Sequence, residues 1–317
     1  MDAEPAIRAA GPARVNGAPA YAGMMDPPLR RCPVCDGAWR PAGAKRDRLS
    51  GARYAYTRCT SCGFLAVNPR PSPSGLAEFY RTGAWSIVGG TVDPREEHLD
   101  PARFVPWALA HVQSAGRSML DIGAGTGCYT RAAIALGLTV TAVEPDARAA
   151  DVLRARFGIP VVSARFEEFP ADARFDVVLS NQVMGHVHDP VDWARRIARC
   201  TAPGGVAALG VLHAAGFWQR SVGLRDPYAK PPLHLNHFTA RSLRALVERF
   251  GLQTCALRTY SRFPWALLSR KAHAPQSMRP AIDWIFRHAQ QPPLAVLDRL
   301  GFGIFLEIVA RQPMTST

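Results

Sequence analysis

The chain has 317 residues, of which 48% are hydrophobic and 20% charged, a composition that excludes wholesale disorder and a fibrous protein. Its length predicts about two domains. The sequence contains neither an apolar stretch of ~18 residues, which would indicate a membrane span, nor the basic and apolar start that is typical of a secretory signal. We therefore expect a soluble, cytoplasmic protein.

The formal net charge of +13 is typical of a nucleic-acid-binding protein, but the distribution of the charge argues against that function. The 38 basic residues comprise 35 Arg and 3 Lys, and they are scattered along the chain. Nucleic-acid-binding tails usually gather about five or more like charges into one block. So lopsided a ratio is better explained by a GC-rich genome. The basic surface can still attract anionic substrates from a distance.

The N-terminal part of the chain divides into a tail, a cysteine-bearing module and a linker. Residues 1–28 are rich in Ala, Gly and Pro, and we expect a disordered tail because they contain few large apolar side chains. Residues 29–73 carry four of the seven cysteines, with strand-like segments at 54–58 and 64–67. Residues 74–115 are predicted to form a helical linker with helices at 74–81 and 102–114.

The four cysteines of the module form two close pairs with the spacing C-x2-C-x23-C-x2-C, namely Cys32, Cys35, Cys59 and Cys62. Because we expect reducing conditions, the pairs are interpreted as metal ligands rather than disulfides. Four thiolates on two tight turns match tetrahedral zinc in a closed structural site. Iron in a rubredoxin-like site and a metal-free vestige are the alternatives.

From Ser118 onward, short apolar runs alternate with longer amphipathic ones, which predicts strands alternating with helices. This alternation indicates an α/β fold whose parallel sheet is covered by helices on both faces. The core is assigned to residues 116–258, a helical and Pro-broken insert to 259–302, and a last strand and tail to 303–317. Strands are predicted at 118–122, 139–143, 161–162, 175–179, 206–212 and 304–310, and helices at 129–136, 147–157, 191–200 and 240–250.

The strongest functional motif is Asp121-Ile-Gly-Ala-Gly-Thr-Gly127, which follows a predicted strand and opens a helix. Gly123, Gly125 and Gly127 allow a sharp turn and a close approach to a ligand. Glu144 ends the next strand, where a ribose-binding carboxylate belongs in a nucleoside-binding α/β fold. The spacing differs from the dinucleotide fingerprint, and Asp121 would repel a pyrophosphate but favour a cationic ligand.

These motifs resemble those of class I S-adenosylmethionine-dependent methyltransferases, whose first motif is an acidic residue followed by G-x-G-x-G. The segments Phe175-Asp-Val-Val178 and Ala202-Pro-Gly-Gly205 agree with the resemblance. It implies a Rossmann-like seven-stranded sheet that is mostly parallel with an antiparallel last strand, and S-adenosylmethionine as the methyl donor. The cysteine module, together with the segment Pro232–Thr239, resembles bacterial small-molecule methyltransferases that carry a zinc-ribbon-like N-terminal module, among them sugar C-methyltransferases.

The resemblance also implies roles for individual residues. Asp121 is expected near the cationic methionine end of the donor, the three glycines under its adenosine, and Glu144 at the two ribose hydroxyls. Phe166 is predicted to contact adenine, with an ordinary core aromatic as the alternative. Asn181, at the end of the fourth strand, is predicted to belong to the cofactor site.

The loop Asn181–Pro190 is expected to line the acceptor pocket, because ligands of open α/β sheets bind outside the carboxyl ends of the strands. His186 is the predicted general base, since an imidazole with a pKa of about 6.5 accepts a proton at neutral pH. A histidine that only packs the loop is the alternative, and His234 and His237 are further candidates. Gly185 stands where many relatives carry Glu, which weakens any transfer of the sugar C-methyltransferase mechanism.

The sequence therefore predicts a methyltransferase that acts on a small-molecule acceptor: a sugar, a secondary metabolite or a cell-envelope precursor. The alternatives are an RNA methyltransferase whose zinc module grips RNA, and a non-catalytic zinc-ribbon protein with a vestigial fold. No Asn/Asp-Pro-Pro-aromatic motif and no cysteine follows the fourth strand, which argues against methylation of base amino groups and against a covalent route to 5-methylcytosine. The methylated atom and the oligomeric state stay open.

Overall fold

The computed structural model describes residues 23–47, 50–81, 99–170, 172–226, 228–261, 277–278 and 291–314. Within these ranges the chain forms a seven-stranded sheet flanked by helices and a four-stranded sheet nearer the N-terminus. The strands are β1 (Trp39–Arg46), β2 (Arg53–Cys59), β3 (Leu65–Val67), β4 (Ser118–Ile122), β5 (Thr139–Val143), β6 (Val161–Val162), β7 (Phe175–Asn181), β8 (Thr201–Leu212), β9 (Asn236–His237), β10 (Gln253–Tyr260) and β11 (Phe305–Arg311). The helices are α1 (Pro73–Arg81), α2 (Pro101–Leu109), α3 (Cys128–Ala135), α4 (Ala147–Phe157), α5 (Pro190–Cys200), α6 (Phe217–Val222), α7 (Ala240–Glu248) and α8 (Gln291–Arg299).

The large sheet has the strand order β10-β11-β8-β7-β4-β5-β6. Strands β4 to β8 run parallel, whereas β11 is antiparallel to both β8 and β10. This arrangement confirms the predicted seven-stranded sheet with its antiparallel last strand. Because β4 pairs with β5 on one side and β7 on the other, the chain reverses its winding there, and a crevice opens at the carboxyl ends of these strands.

The central strands are apolar along almost their whole length because helices cover both faces of the sheet. In β4, Leu120 and Ile122 belong to one hydrophobic cluster together with residues of α5 and α7, whereas Met119 belongs to a second cluster with residues of α2 and α3. Trp193 of α5 is 1% exposed within the first cluster. Truncation of such a side chain to Ala costs about 3–5 kcal/mol.

Two parts of the sheet differ from the prediction. Strand β8 begins at Thr201 instead of residue 206, and β10 was not predicted at all. Most β10 residues are half-buried, because this strand lies at the edge of the sheet, and its sequence therefore shows no clear apolar alternation. The predicted insert at 259–302 consequently starts inside β10. Of the rest of that insert, α8 is described, while residues 262–276 and 279–290 lie outside the described residues.

The smaller sheet is antiparallel and has the order β1-β2-β3-β9. Strand β9 comes from the segment between α6 and α7, so a strand of the core completes the module predicted at 29–73. Strand β1 was not predicted, because Pro41 and Gly43 lower the strand propensity of its sequence. The register shifts between these two residues, as in a β-bulge.

The prediction of a disordered tail at 1–28 is wrong for residues 23–28, which the structure describes. Residues 1–22 lie outside the described residues, but the next residues pair with the segment that follows β3. Met25 bridges Pro71, and the Asp26 N–H donates to the Arg70 carbonyl at 2.9 Å. Backbone pairing of this kind orders a segment that its composition alone would leave unfolded.

The predicted linker at 74–115 contains α1 and α2, and residues 82–98 between these helices lie outside the described residues. Across the part of the chain that the structure describes, no helix has the length and apolar character needed to cross a membrane.

Candidate functional site

The glycine loop lies at the carboxyl end of β4, beside the loop that follows β7. Gly123 has φ +69, and a Cβ there would lie 2.4 Å from Val183 Cγ2. Gly127 has φ +82, and its Cβ would lie 2.4 Å from Phe157 Cε2 of α4. Both positions therefore require glycine, for the left-handed backbone and for the close approach. The same geometry brings the loops after β4 and β7 into contact.

Glu144 follows β5 and is 3% exposed. Its Oε2 accepts a hydrogen bond from the Gly125 N–H at 2.8 Å, and its Oε1 accepts one from the Asp146 N–H at 2.9 Å. Burial raises the pKa of Glu144 above its ordinary value, while these two hydrogen bonds lower it. A carboxylate has about four lone-pair sites. Two therefore remain for the hydroxyls of a ligand.

Asp121 lies beneath the glycine loop and is 1% exposed. Its Oδ2 accepts a hydrogen bond from the Thr130 hydroxyl at 2.7 Å. Burial raises the pKa of Asp121 to about 7, and the nearby charge of Glu144 contributes to the rise. A cation bound above the loop would oppose this shift. Asp121 can thus act on a ligand through charge, although its side chain is covered by the protein.

Phe166 and Asn181, the other two predicted cofactor residues, lie in different surroundings. Phe166 is 4% exposed, and its ring packs edge-on against Trp193 with 5.2 Å between centroids. This packing matches the core role held open as the alternative, and the contact with adenine stays a prediction. Asn181 ends β7, and its side chain occupies the space that a Cβ at Gly210 of β8 would fill, with Nδ2 2.3 Å away.

Three histidine rings meet beside the loop after β7. His186 lies 4.7 Å from His234 between ring centroids, and His234 lies 6.2 Å from His237. His234 Nδ1 bonds the Tyr228 carbonyl. Among the described residues, His186 Nδ1 and His237 Nε2 are buried without a hydrogen-bond partner. The structure therefore brings together the three histidines that the sequence offered as alternative bases.

The three imidazoles are neutral at physiological pH. Burial lowers the pKa of His186 to about 4, with a smaller contribution from the positive charge of Lys230. Burial, together with the cations Arg58 and Lys45, lowers the pKa of His237 to about 3. The pKa of His234 is also lowered well below its ordinary value, first by burial. Each ring is thus in the form that accepts a proton.

Two buried polar residues that the sequence analysis did not select also contact the loop after β7. Asn236 of β9 donates to the Val187 carbonyl at 2.7 Å, and Arg70 donates to the His188 carbonyl. Arg70 and Asn236 are 166 positions apart in the chain. No local sequence pattern links the two residues. The only signals near them are the proline-rich run Asn68-Pro-Arg-Pro71, which contains Arg70, and the segment 232–239, which contains Asn236.

The four cysteines of the module converge, as their spacing predicted. All four sulfur atoms lie within 4.8 Å of one another. Cys32 Sγ is 3.7 Å from Cys62 Sγ, and Cys35 Sγ is 3.5 Å from Cys59 Sγ. Tetrahedral zinc with Zn–S bonds of about 2.3 Å requires sulfurs about 3.8 Å apart. The donor set and its spacing therefore fit a four-thiolate zinc ion.

The cysteine cluster packs directly against the core. Thr239 caps the N-terminus of α7 by accepting from the Ser242 N–H, and its hydroxyl donates to the Cys62 carbonyl at 2.6 Å. Arg249, just after α7, donates to the Pro33 carbonyl at 3.0 Å. Both cysteine-bearing turns are thus hydrogen-bonded to residues at the two ends of α7.

Comparisons with known proteins give one consistent class. A family model described as a methyltransferase domain matches residues 96–257, about half of the chain. An "Uncharacterized methyltransferase" of Mycobacterium sp. (strain JLS) is 35% identical over 189 residues, which cover 54% of this chain and 75% of that protein. A ubiquinone biosynthesis O-methyltransferase of Caulobacter sp. (strain K31) is 35% identical over 126 residues, which cover 38% of this chain and 49% of that protein.

Solved structures agree on the fold. The 1,6-didemethyltoxoflavin-N1-methyltransferase of Burkholderia thailandensis, with 1,6-didemethyltoxoflavin and S-adenosylhomocysteine bound, superimposes with a TM-score of 0.52 at 19% identity. The match covers 85% of this chain and 100% of that chain. At this identity the likeness concerns the architecture of the sheet and its helices.

Proposed function

The chain belongs to the family of S-adenosylmethionine-dependent methyltransferases, and we propose that it binds this donor at the glycine loop and passes the methyl group to a small-molecule acceptor. The observation that carries the proposal is the position of the glycine loop and of Glu144 at neighbouring carboxyl ends of β4 and β5. This is the edge at which open α/β sheets bind nucleosides.

Different residues around the glycine loop would bind different parts of the donor. Glu144 would accept hydrogen bonds from the ribose hydroxyls with its two remaining lone-pair sites. The backbone at Gly123 and Gly125 lets the adenosine approach without interference from a Cβ. Asp121 would attract the cationic methionine end through charge from beneath the loop. The donor, when bound, supplies a methyl group that its sulfonium has already activated.

The acceptor would bind beside the loop after β7. The protein's main task there is to hold the reacting atoms in line and to exclude water. Where the accepting atom carries a proton, neutral His186 would take it. A small acceptor is favoured because His237 is buried and His186 and His234 are half-buried, and because the Caulobacter relative is named for an O-methylation in ubiquinone biosynthesis.

We further propose that the four cysteines hold a structural zinc ion. A closed four-thiolate site leaves no coordination position for a substrate, so the metal would serve folding rather than catalysis. The role of the module in gripping RNA has less support, since β3 pairs with β9 and the cluster packs on α7.

Calorimetry with S-adenosylmethionine and S-adenosylhomocysteine tests the donor site. We expect both to bind, and we expect Gly123→Asn to abolish binding because the new side chain would collide with Val183. Gly158→Asn is the matched control: Gly158 also has a positive φ, +62, but nothing lies within 4 Å of its Cβ position. A wild-type protein that binds neither compound would instead support the vestigial fold. Tight RNA binding that weakens steeply with salt would support the RNA methyltransferase.

A further inference from the structure

Asn236 donates to three backbone carbonyls of the loop that carries His186. The residue is fully buried, with 0% exposure. Its side-chain amide donates to the Met184 carbonyl at 3.3 Å and to the Val187 carbonyl at 2.7 Å. Its backbone N–H donates to the Gly185 carbonyl at 3.0 Å. The Gly185 carbonyl also accepts from the Leu235 N–H at 2.8 Å, so the Met184 and Val187 carbonyls are the two that rely on the Asn236 side chain. Buried carbonyls left without a partner would cost about 1–3 kcal/mol each.

Arg70 holds the same loop from the side of the cysteine module. Its side chain is buried, with 4% exposure, and one Nη donates to the His188 carbonyl. The other Nη lies 3.5 Å from Asn236 Oδ1. Because the Asn236 amide nitrogen faces two carbonyls, its oxygen is the atom that faces the guanidinium. The two residues thus form one chain of donors that runs from Arg70 through Asn236 to the loop.

The charge of Arg70 persists in this buried position. Burial lowers the pKa of Arg70 to about 10, which still leaves it protonated at neutral pH. The carboxylates of Asp189 and Asp26 favour its charged form. Asp26 also contacts His188 Nε2 at 2.6 Å, so the residue before the module and the loop are linked at the surface as well.

The backbone of the loop is unusual, and the His186 ring interacts mainly with backbone groups, those of Gln182 and Leu233. Gln182 has φ +60, a left-handed conformation for a residue with a side chain. The loop packs against β9, since a Cβ at Gly185 would lie in van der Waals contact with the Asn236 carbonyl, 3.4 Å away. His186 Nδ1 has no hydrogen-bond partner among the described residues. The direction of its ring is therefore set by the backbones of Gln182 and Leu233 and by contact with His234.

We propose that Arg70 and Asn236 are positioning residues, which fix the backbone of residues 184–188 and so aim the His186 imidazole. Because Ala66 of β3 pairs with Asn236, the four-stranded sheet of the cysteine module forms part of the acceptor half of the site. The catalytic meaning of the inference rests on the function proposed above, whereas the fixing of the loop is measurable without any methyl transfer.

The test uses the full-length protein and three variants. Asn236→Asp keeps the size of the side chain but removes both amide donors, and Arg70→Met removes the guanidinium at similar length. Asn68→Asp is the matched control, since Asn68 is also a buried asparagine with a hydrogen-bonded side-chain amide. Its Oδ1 accepts from the Leu29 N–H and its Nδ2 donates to the Leu29 carbonyl, so it does not contact the loop after β7. Hydrogen exchange of residues 183–188 and the ¹⁵N histidine spectrum, with the His186 signal assigned from His186→Gln, are the readouts.

We expect amide exchange in residues 183–188 to accelerate about tenfold or more in Asn236→Asp and Arg70→Met, with a displaced His186 signal. Asn68→Asp should change exchange near Leu29 and leave the His186 signal in place. Folded variants with unchanged loop exchange and an unchanged His186 signal would overturn the inference, as would an equal effect of the control. If Asn236→Asp does not fold, Arg70→Met and Arg70→Lys decide the question.

S-adenosylhomocysteine binding separates this inference from the proposed function. We expect the wild-type protein and all three variants to bind it with affinities within about twofold, since the loop after β7 serves the acceptor. A wild-type protein that fails to bind it contradicts the proposed function, while the exchange data still decide whether Arg70 and Asn236 hold the loop. A large loss of affinity only in Asn236→Asp and Arg70→Met would show that they act on the donor site and would overturn the inference.

Discussion

The Glu144 carboxylate reaches from the end of β5 to the glycine loop and accepts a hydrogen bond from the Gly125 backbone N–H at 2.8 Å. Its second oxygen accepts from the Asp146 N–H at 2.9 Å. The side chain that is expected to bind the ribose therefore also holds the loop on which the donor would lie. Removing it should disturb the loop and the ligand together.

We predict that Glu144→Ala weakens the binding of S-adenosylhomocysteine by tenfold or more, ~1.4 kcal/mol or above, because the ribose loses its acceptor and Gly125 its hydrogen bond. Turnover should recover in part at high donor concentration. Isothermal calorimetry measures the affinity. Asp146→Ala is the control: it removes the cap of α4 and costs about 1 kcal/mol of stability, but should leave the affinity nearly unchanged. Normal binding by Glu144→Ala would contradict the assignment.

Much of the large sheet could be predicted from the sequence because buried parallel strands form apolar runs and their helices are amphipathic. Strands β4, β5, β6 and β7 appear close to where the apolar runs lie. Strand β10 was not predicted because it lies at the edge of the sheet, where only one of its residues is fully buried and no apolar pattern is required. Strand β9 consists of only two residues, and its pairing with β3 joins parts of the chain that no local pattern connects.

In the candidate site, too, the residues of short local motifs could be predicted from the sequence, and those that depend on distant contacts could not. The glycine loop, Glu144 and the four cysteines are dictated by local geometry, since a left-handed turn or a thiolate pair leaves a short motif. Arg70 and Asn236 leave none, because their importance comes from burial and from partners far away in the sequence. The pKa values of the histidines could not be predicted either. The sequence shows which residues are histidines, but it does not show the burial that lowers the pKa of His186 to about 4.

Metal analysis of the purified protein should give about one zinc per chain, and Cys32→Ser or Cys62→Ser should lose it. Cys255→Ser is the control, because Cys255 lies in β10, outside the cysteine cluster. Since metal binding is coupled to folding in such modules, chelation should unfold residues 30–73 first. The pairing of Leu65 with His237 predicts that hydrogen exchange also rises in β9. A stable, metal-free protein after gentle purification would contradict the prediction.

The buried histidines should lower the free energy of unfolding as the pH decreases from about 6.5 to about 4. Asp121, whose pKa burial raises to about 7, acts in the opposite direction over the same range, so the histidine contribution is measured as the difference between wild type and a histidine variant. Burial lowers the pKa of His186 to about 4 and that of His237 to about 3 in the folded protein, so the unfolded chain binds protons first as the pH drops. The stabilisation is therefore complete above the unfolded pKa and is lost below it. Urea titrations across this range measure the slope. His237→Gln should reduce the slope by up to one proton, and an unchanged slope would count against the neutral, buried histidine.

The pH dependence of turnover should differ from what the sequence alone indicates. A histidine with an ordinary pKa would give a rate that rises through about pH 6.5. Because burial lowers the pKa of His186 to about 4, its rising limb in kcat/KM should appear near pH 4, and the imidazole should contribute no limb between about pH 5.5 and 8. Initial rates with an acceptor that supports S-adenosylhomocysteine formation measure this profile. A limb near pH 6.5 in kcat/KM that disappears in His186→Ala would contradict the lowered pKa, whereas such a limb in kcat alone would show that acceptor binding restores an ordinary pKa.

His186→Ala should lower kcat by about 100-fold or more while leaving the affinity for S-adenosylhomocysteine nearly unchanged. The physical reason is a division of labour, in which Glu144 and the glycine loop bind the donor and the loop after β7 faces the acceptor. His188→Ala is the control, since His188 lies two residues away in the same loop but its ring bonds Asp26. That variant should keep near-normal turnover. If His186→Ala keeps it too, the imidazole only packs the loop, and catalysis rests on positioning alone or on His234 or His237, whose rings lie in the same cluster.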